Sequence, residues 1–303
     1  MNQASRCGPP GSRSAPPQLC ESHGHKGDEK VKIGIVTLLM ITGLLNQAAC
    51  APKILTPDRT LTEQIPQIES RGKEIAGYER AATTSTDLLK ASNPEWDKLG
   101  IYLAIKEGMQ WRVYYGKLSD NLEDFVVAYS YLCSFSTCSL QPISSLSNDS
   151  IELARAIQLS AKHIATESSF PEFNPSAFRE KDGTISVYML PVNRDPSVHL
   201  IGGDFKFTCA PNGRNIVSKT KLHKTIIKTG PPPGTELKAR MHGHVLTELP
   251  TETDVALAIL DPQHVDHFVV GFAWTWRIDK NGRITVWDSN ENIQKEQDKK
   301  KTT

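Results

Sequence analysis

The chain has 303 residues, 38% of them hydrophobic, with 35 basic against 34 acidic side chains and a formal net charge of +1. This length accommodates one large or two modest domains with a well-buried core, and a balanced charge creates no bulk field that would gather polyanions. No basic run is interleaved with aromatic residues, so nucleic acid is not an expected partner; Lys295, Lys299, Lys300 and Lys301 belong to a polar tail at 291–303.

Residues 1–30 carry Pro9-Pro10, Pro16-Pro17 and no apolar periodicity, the composition of a disordered extension or of sequence upstream of the natural start, with Val31 as an alternative initiator. From Ile33 to Leu45 the chain is almost uninterruptedly apolar, after Lys30 and Lys32. As a helix this run is only about 20 Å long, short of the roughly 30 Å hydrocarbon core of a bilayer, and it suits the apolar region of a secretory signal. Ala48-Ala49-Cys50 resembles the end of a bacterial lipoprotein signal, although Gln47 stands where that pattern usually has an aliphatic residue. The resemblance implies a signal segment at 31–50, lipid on Cys50, and a protein anchored in the bacterial cell envelope facing the periplasm; ordinary cleavage nearby implies secretion. Export places Cys133 and Cys138, five residues apart, where they are expected to form a disulfide. Cys209 sits alone in a strand-like segment and reads as a small buried hydrophobe.

Residues 51–95 read as a tether followed by a helix over 67–89, and 96–290 as a single α/β domain. Within that domain, Met109–Leu118 and Asp124–Cys133 are rich in β-branched and aromatic residues on either side of Ser119-Asp120-Asn121, which predicts a hairpin. Asn148-Asp149-Ser150 then offers a cap for a helix with Ile151, Ala154, Ile157, Ala161 and Ile164 at helical spacing. Segments 183–190, 199–209 and 213–219 suggest an antiparallel meander. A strand over Thr235–Val245 alternates cleanly, with Leu237, Ala239, Met241, Gly243 and Val245 on one face and Glu236, Lys238, Arg240, His242 and His244 on the other. Thr251–Leu260 reads as a helix capped by Thr251 or Thr253. Phe268–Ile278 and Arg283–Trp287 form a last predicted hairpin over Asp279–Gly282, with Phe272, Trp274, Trp276 and Ile278 as its buried face. The expected class is α/β (α+β), a mainly antiparallel sheet with flanking helices.

The chemistry-bearing pattern is His242-Gly243-His244, then Thr251 and Asp254. Period-two alternation points both imidazoles the same way, and a downstream carboxylate can close a tripod around a metal. In order and spacing this part, roughly Thr184 to Trp287, resembles the JAB/MPN metalloprotease-like fold. That resemblance implies zinc held by His242, His244 and Asp254, Thr251 as an auxiliary catalytic residue, an open fourth position for water, and a glutamate base on an earlier strand. No acid lies on the strand that should carry the base; Glu180 precedes it, Asp204 is on the next strand, and Glu236 is about 20 Å of extended chain from His242. The competing reading makes the two histidines a continuation of the polar face begun by Lys238 and Arg240. His223, His264 and His267 are further candidates, although a single histidine is most often a satisfied core or surface residue. Two function classes follow: a binding or structural module that retains the fold and engages an envelope protein or peptide, and a zinc-dependent amide or isopeptide hydrolase.

Overall fold

The computed structural model describes residues 57–134, 137–166, 172–195, 198–230 and 234–287. The extension, the signal segment with Cys50, the first part of the tether and the polar tail lie outside the described residues. A short helix α1 (Arg59–Thr62) leads into α2 (Ile65–Ala91). Four antiparallel strands follow in chain order, β1 (Ile101–Glu107), β2 (Gln110–Leu118), β3 (Phe125–Cys133) and β4 (Cys138–Gln141). After α3 (Asn148–Ala165) come β5 (Phe173–Arg179), β6 (Ile185–Pro191), β7 (His199–Gly202), β8 (Phe205–Cys209), β9 (Ile216–Lys221) and β10 (Ile226–Thr229). The chain closes with β11 (Ala239–Gly243), α4 (Glu252–Leu260), β12 (Asp266–Val270), β13 (Thr275–Ile278) and β14 (Ile284–Val286). Strands β5-β6-β8-β9 make a second antiparallel sheet and β7 pairs with β10. β11-β12-β13-β14 make a third sheet, whose β11–β12 pair is parallel.

The mainly antiparallel α/β class read from the sequence is the observed one. The hairpin of β2 and β3 falls where the β-branched runs predict it, and Cys133 and Cys138 are disulfide-bonded. Adjacent residues of the strands serve opposite faces, as period two requires: Ala104, Phe178 and Tyr188 join α2 in one apolar cluster, while Leu103, Ala177 and Val187 join α3 in another. A third cluster, around Val255, Val269 and Trp276, lies under the β11–β14 sheet.

Several expectations change. The unit containing all the described residues begins at Leu55, so α2, expected as a helix ahead of the 96–290 domain, belongs to the core, with Ile75 and Tyr78 fully buried. Gly72 allows α2 this position, since a Cβ there would meet the Val255 side chain of α4 at 2.4 Å. The cap of α3 is Ser147, whose hydroxyl accepts the Ser150 N–H. The run 199–209 is split into β7 and β8 because Gly202 and Gly203 have φ of 81° and 76°, a region L side chains rarely enter. Phe268–Ile278 is two strands, not one. Its middle wraps the Glu248 carboxylate, which accepts the backbone N–H groups of Phe272, Ala273 and Trp274. Phe272 is therefore exposed while Trp276 and Ile278 stay in the core.

Candidate metal centre

β11 is shorter than the predicted strand, and its faces are reversed relative to hydropathy. Met241 is 62% exposed, whereas Arg240, His242 and His244 are buried. Pairing with β12 sets this, because His242 lies opposite Val269, a fully buried core residue. Lys238 remains outside with Glu236 at its ammonium, so the face begun by Lys238 turns inward at Arg240 instead of continuing in solvent.

Beyond His244, Thr247 and Leu249 turn the chain back, and Thr251 caps α4 in a reciprocal box. Its hydroxyl accepts the Asp254 N–H, and the Asp254 carboxylate accepts the Thr251 N–H at 2.7 Å. This box fixes the Asp254 side chain. The Thr251 hydroxyl also donates to Asp254 Oδ2 at 2.8 Å, so Thr251 positions the carboxylate and is itself buried.

The structure thus brings His242, His244 and Asp254 together, and adds His223 from the bend between β9 and β10. His223, His242 and His244 are each 6% exposed and Asp254 1%. His223 Nε2 and His244 Nε2 are 3.0 Å apart, and His242 Nε2 and His244 Nε2 3.1 Å. Asp254 Oδ1 lies 3.1 Å from both His223 Nε2 and His242 Nε2, and Asp254 Oδ2 lies 3.2 Å from His244 Nε2. A tetrahedral ion with ligand bonds of about 2.0–2.1 Å spaces its ligand atoms about 3.3 Å apart. The four groups are close enough to hold a metal ion.

Their outer nitrogens decide which way the lone pairs point. His244 Nδ1 is 3.1 Å from the Leu249 carbonyl, which can only accept, so Nδ1 carries the proton and Nε2 presents its lone pair inward. His223 Nδ1 is 2.6 Å from Asp204 Oδ1, with the same consequence. Asp204, 2% exposed, is held in turn by the Thr253 hydroxyl. With no metal bound, a proton must sit among these nitrogens. Burial opposes charge on His223, but Asp254 and Asp204 outweigh it and push its pKa up to about 10. For Asp254, burial raises the pKa and the three histidines more than reverse that, holding it well below the usual carboxylate range.

The acids weighed as a general base lie elsewhere. Glu180 pairs with Arg71, Glu236 is exposed beside Lys238, and Asp204 stands behind His223. His264 is exposed, and His267 bonds Asp261. His223 was visible in the sequence only as an isolated histidine; its one local signal is the Gly202-Gly203-Asp204 turn. A Cβ at Gly202 would meet the Thr225 carbonyl at 2.3 Å and the His223 Cβ at 2.8 Å, so that glycine lets the two loops approach. Comparison with protein-family models, curated proteins and solved structures finds no match.

Proposed function

We propose that this chain is an exported, lipid-anchored envelope protein whose α/β domain acts as a binding or structural module, clamped internally by a zinc ion on His223, His242, His244 and Asp254. The observation that carries the metal is the 3.0 Å approach of two inward imidazole lone pairs whose outer nitrogens are already committed. Two lone pairs at that distance repel unless a proton or a metal cation lies between them, and a metal ion is the cation that can engage His223, His242, His244 and Asp254 together. Three imidazoles and one carboxylate suit zinc, while calcium and magnesium favour all-oxygen shells.

The same geometry favours a clamp over a hydrolase. Catalytic zinc keeps an open position for water, whereas structural zinc is closed by four protein ligands, and here four converge in a buried site. His223 adjoins β9 of the second sheet and the other three lie on or beside β11 and α4, so one ion joins two sheets. Export and anchoring rest on the apolar run Ile33–Leu45 and on Ala48-Ala49-Cys50; loss of metabolic fatty-acid labelling in Cys50→Ala tests the anchor. The JAB/MPN resemblance supports the alternative, a zinc-dependent amide or isopeptide hydrolase.

Elemental analysis and cobalt substitution decide between these readings. One zinc per chain is expected, and the cobalt form is expected to show intense tetrahedral d–d absorption unchanged by acetohydroxamate. No stoichiometric metal would end the zinc reading; a spectrum shifted by acetohydroxamate, with peptide or isopeptide cleavage, would favour the hydrolase.

A further inference from the structure

Metal-binding histidines work best when a second group fixes the ring and its tautomer, and losing such a partner commonly costs about 10–100-fold in metal affinity. Of the three histidines in the cluster, His223 is the one whose outer nitrogen meets a carboxylate. Asp204 Oδ1 is 2.6 Å from Nδ1, and both side chains are almost wholly buried. Asp204 is itself positioned from two sides. The Gly202-Gly203 turn brings its backbone next to the β9–β10 bend, where its carbonyl accepts the Leu222 N–H at 3.2 Å. On the other side its Oδ2 accepts the hydroxyl of Thr253, the residue just before the ligand Asp254. The path Asp254–Thr253–Asp204–His223 therefore links the two sheets behind the ligand atoms as well as through them.

Charge points the same way. A divalent ion beside Asp254 alone would leave one net positive charge in a site walled off from water, and uncompensated buried charge is costly. With Asp204 also ionised, the two carboxylates cancel the ion's charge and all three imidazoles remain neutral, as ligation requires.

We propose that Asp204 is the positioning residue of this metal centre: it holds His223 as the Nδ1–H tautomer with Nε2 on the ion, and supplies the second negative charge that makes the site neutral for a divalent cation. This inference rests on the zinc reading above. It predicts that Asp204→Asn binds zinc about 10–100-fold more weakly than the unaltered chain in competition with a chromophoric chelator. It also predicts that zinc-loaded protein shows the long-range ¹⁵N pattern of a ring protonated at Nδ1 for His223, and that in Asp204→Asn, whose side-chain NH2 can turn to Nδ1 and oppose that tautomer, part of the His223 population leaves the ion and the pattern is mixed. Thr253→Val, which keeps the carboxylate and removes one of its anchors, should fall between the two in affinity and retain the Nδ1–H signature; it carries the test if Asp204→Asn does not fold.

Three outcomes are distinguishable. Weaker zinc binding together with the altered His223 signal supports the role. Unchanged affinity and an unchanged tautomer in Asp204→Asn, with the unaltered chain still holding one zinc, overturns the role of Asp204 and leaves the zinc reading standing. An unaltered chain that binds no zinc overturns both.

Discussion

The inward face of β11 serves two buried polar clusters, and they differ in how their charge is met. In the first, His223, His242, His244 and Asp254 turn their ligand atoms toward a common centre. In the second, His199, His267 and Asp261 also lie within ligand distance of one another, but the cation is already present. Arg240 Nε and Nη2 contact the two oxygens of Asp261 at 2.5 and 3.3 Å, and Asp261 further accepts His267 Nε2 at 2.9 Å. Arg240 and His242 are two residues apart on one strand, so a single register delivers a guanidinium to one cluster and an imidazole to the other. Proximity of histidines and a carboxylate is thus a weak criterion for a metal centre. The orientation of the lone pairs, and whether a protein cation already neutralises the carboxylate, is the stronger one.

The largest expected effect comes from emptying the first cluster. If the zinc clamp joins the two sheets, stripping the chain with a picolinate chelator should lower its stability by more than about 4 kcal/mol, the value reached when free metal exceeds Kd a thousandfold. His242→Ala with His244→Ala should abolish that metal dependence. A melting curve that coincides with and without chelator, in a chain shown to have held zinc, would mean the ion does not clamp the fold.

A comparable or smaller loss is expected from removing the built-in cation. Arg240→Ala leaves Asp261 fully buried without its guanidinium, a change that typically costs about 3–5 kcal/mol. Arg240→Met with Asp261→Asn should recover a large part of it, because neither partner is then left charged. No added divalent ion should rescue Arg240→Ala if the second cluster is built for a guanidinium. Rescue by zinc in urea denaturation would erase the distinction between the clusters.

Which parts of this arrangement are legible in the sequence follows from how locally each is specified. His242 and His244 share a face because of strand geometry, and Thr251 and Asp254 form a capping box within four residues, so both were readable without tertiary information. His223 reaches the site from a separate bend, and no periodicity links it to β11. The buried face of β11 is not legible from hydropathy for a different reason. Hydropathy assigns Met241 inward and Arg240 outward, yet Arg240 and Asp261 neutralise each other and the histidines find carboxylates, so the polar face is the one that can be covered. Similarly, the β12–β13 turn is made by Glu248 receiving three backbone N–H groups, an interaction that leaves no trace in the alternation of Phe272, Trp274 and Trp276.

The smallest of the three effects separates the clusters by pH. His199 stacks edge-on against His267 at 5.5 Å between centroids, and its Nε2 is buried without a hydrogen-bond partner among the described residues. Burial first, and then the neighbouring Arg240 and His267, lower its pKa from 6.5 to about 4. In the unfolded chain the same ring takes up a proton near pH 6.5. Between those values the unfolded state binds more protons than the folded one, so this contribution is complete above about pH 6.5 and is lost as pH falls toward 4. The full shift corresponds to about 3 kcal/mol, and the partial exposure of the residue reduces the expected effect to about 1–2 kcal/mol. His199→Phe keeps a ring against His267 and removes the titration, so its stability should fall less steeply across that window. The comparison is to be made on metal-free protein, because acid also protonates His223, His242 and His244 and would superimpose the response of the first cluster. Parallel stability–pH curves for the two proteins would show that His199 titrates alike in both states and that the second cluster does not desolvate it.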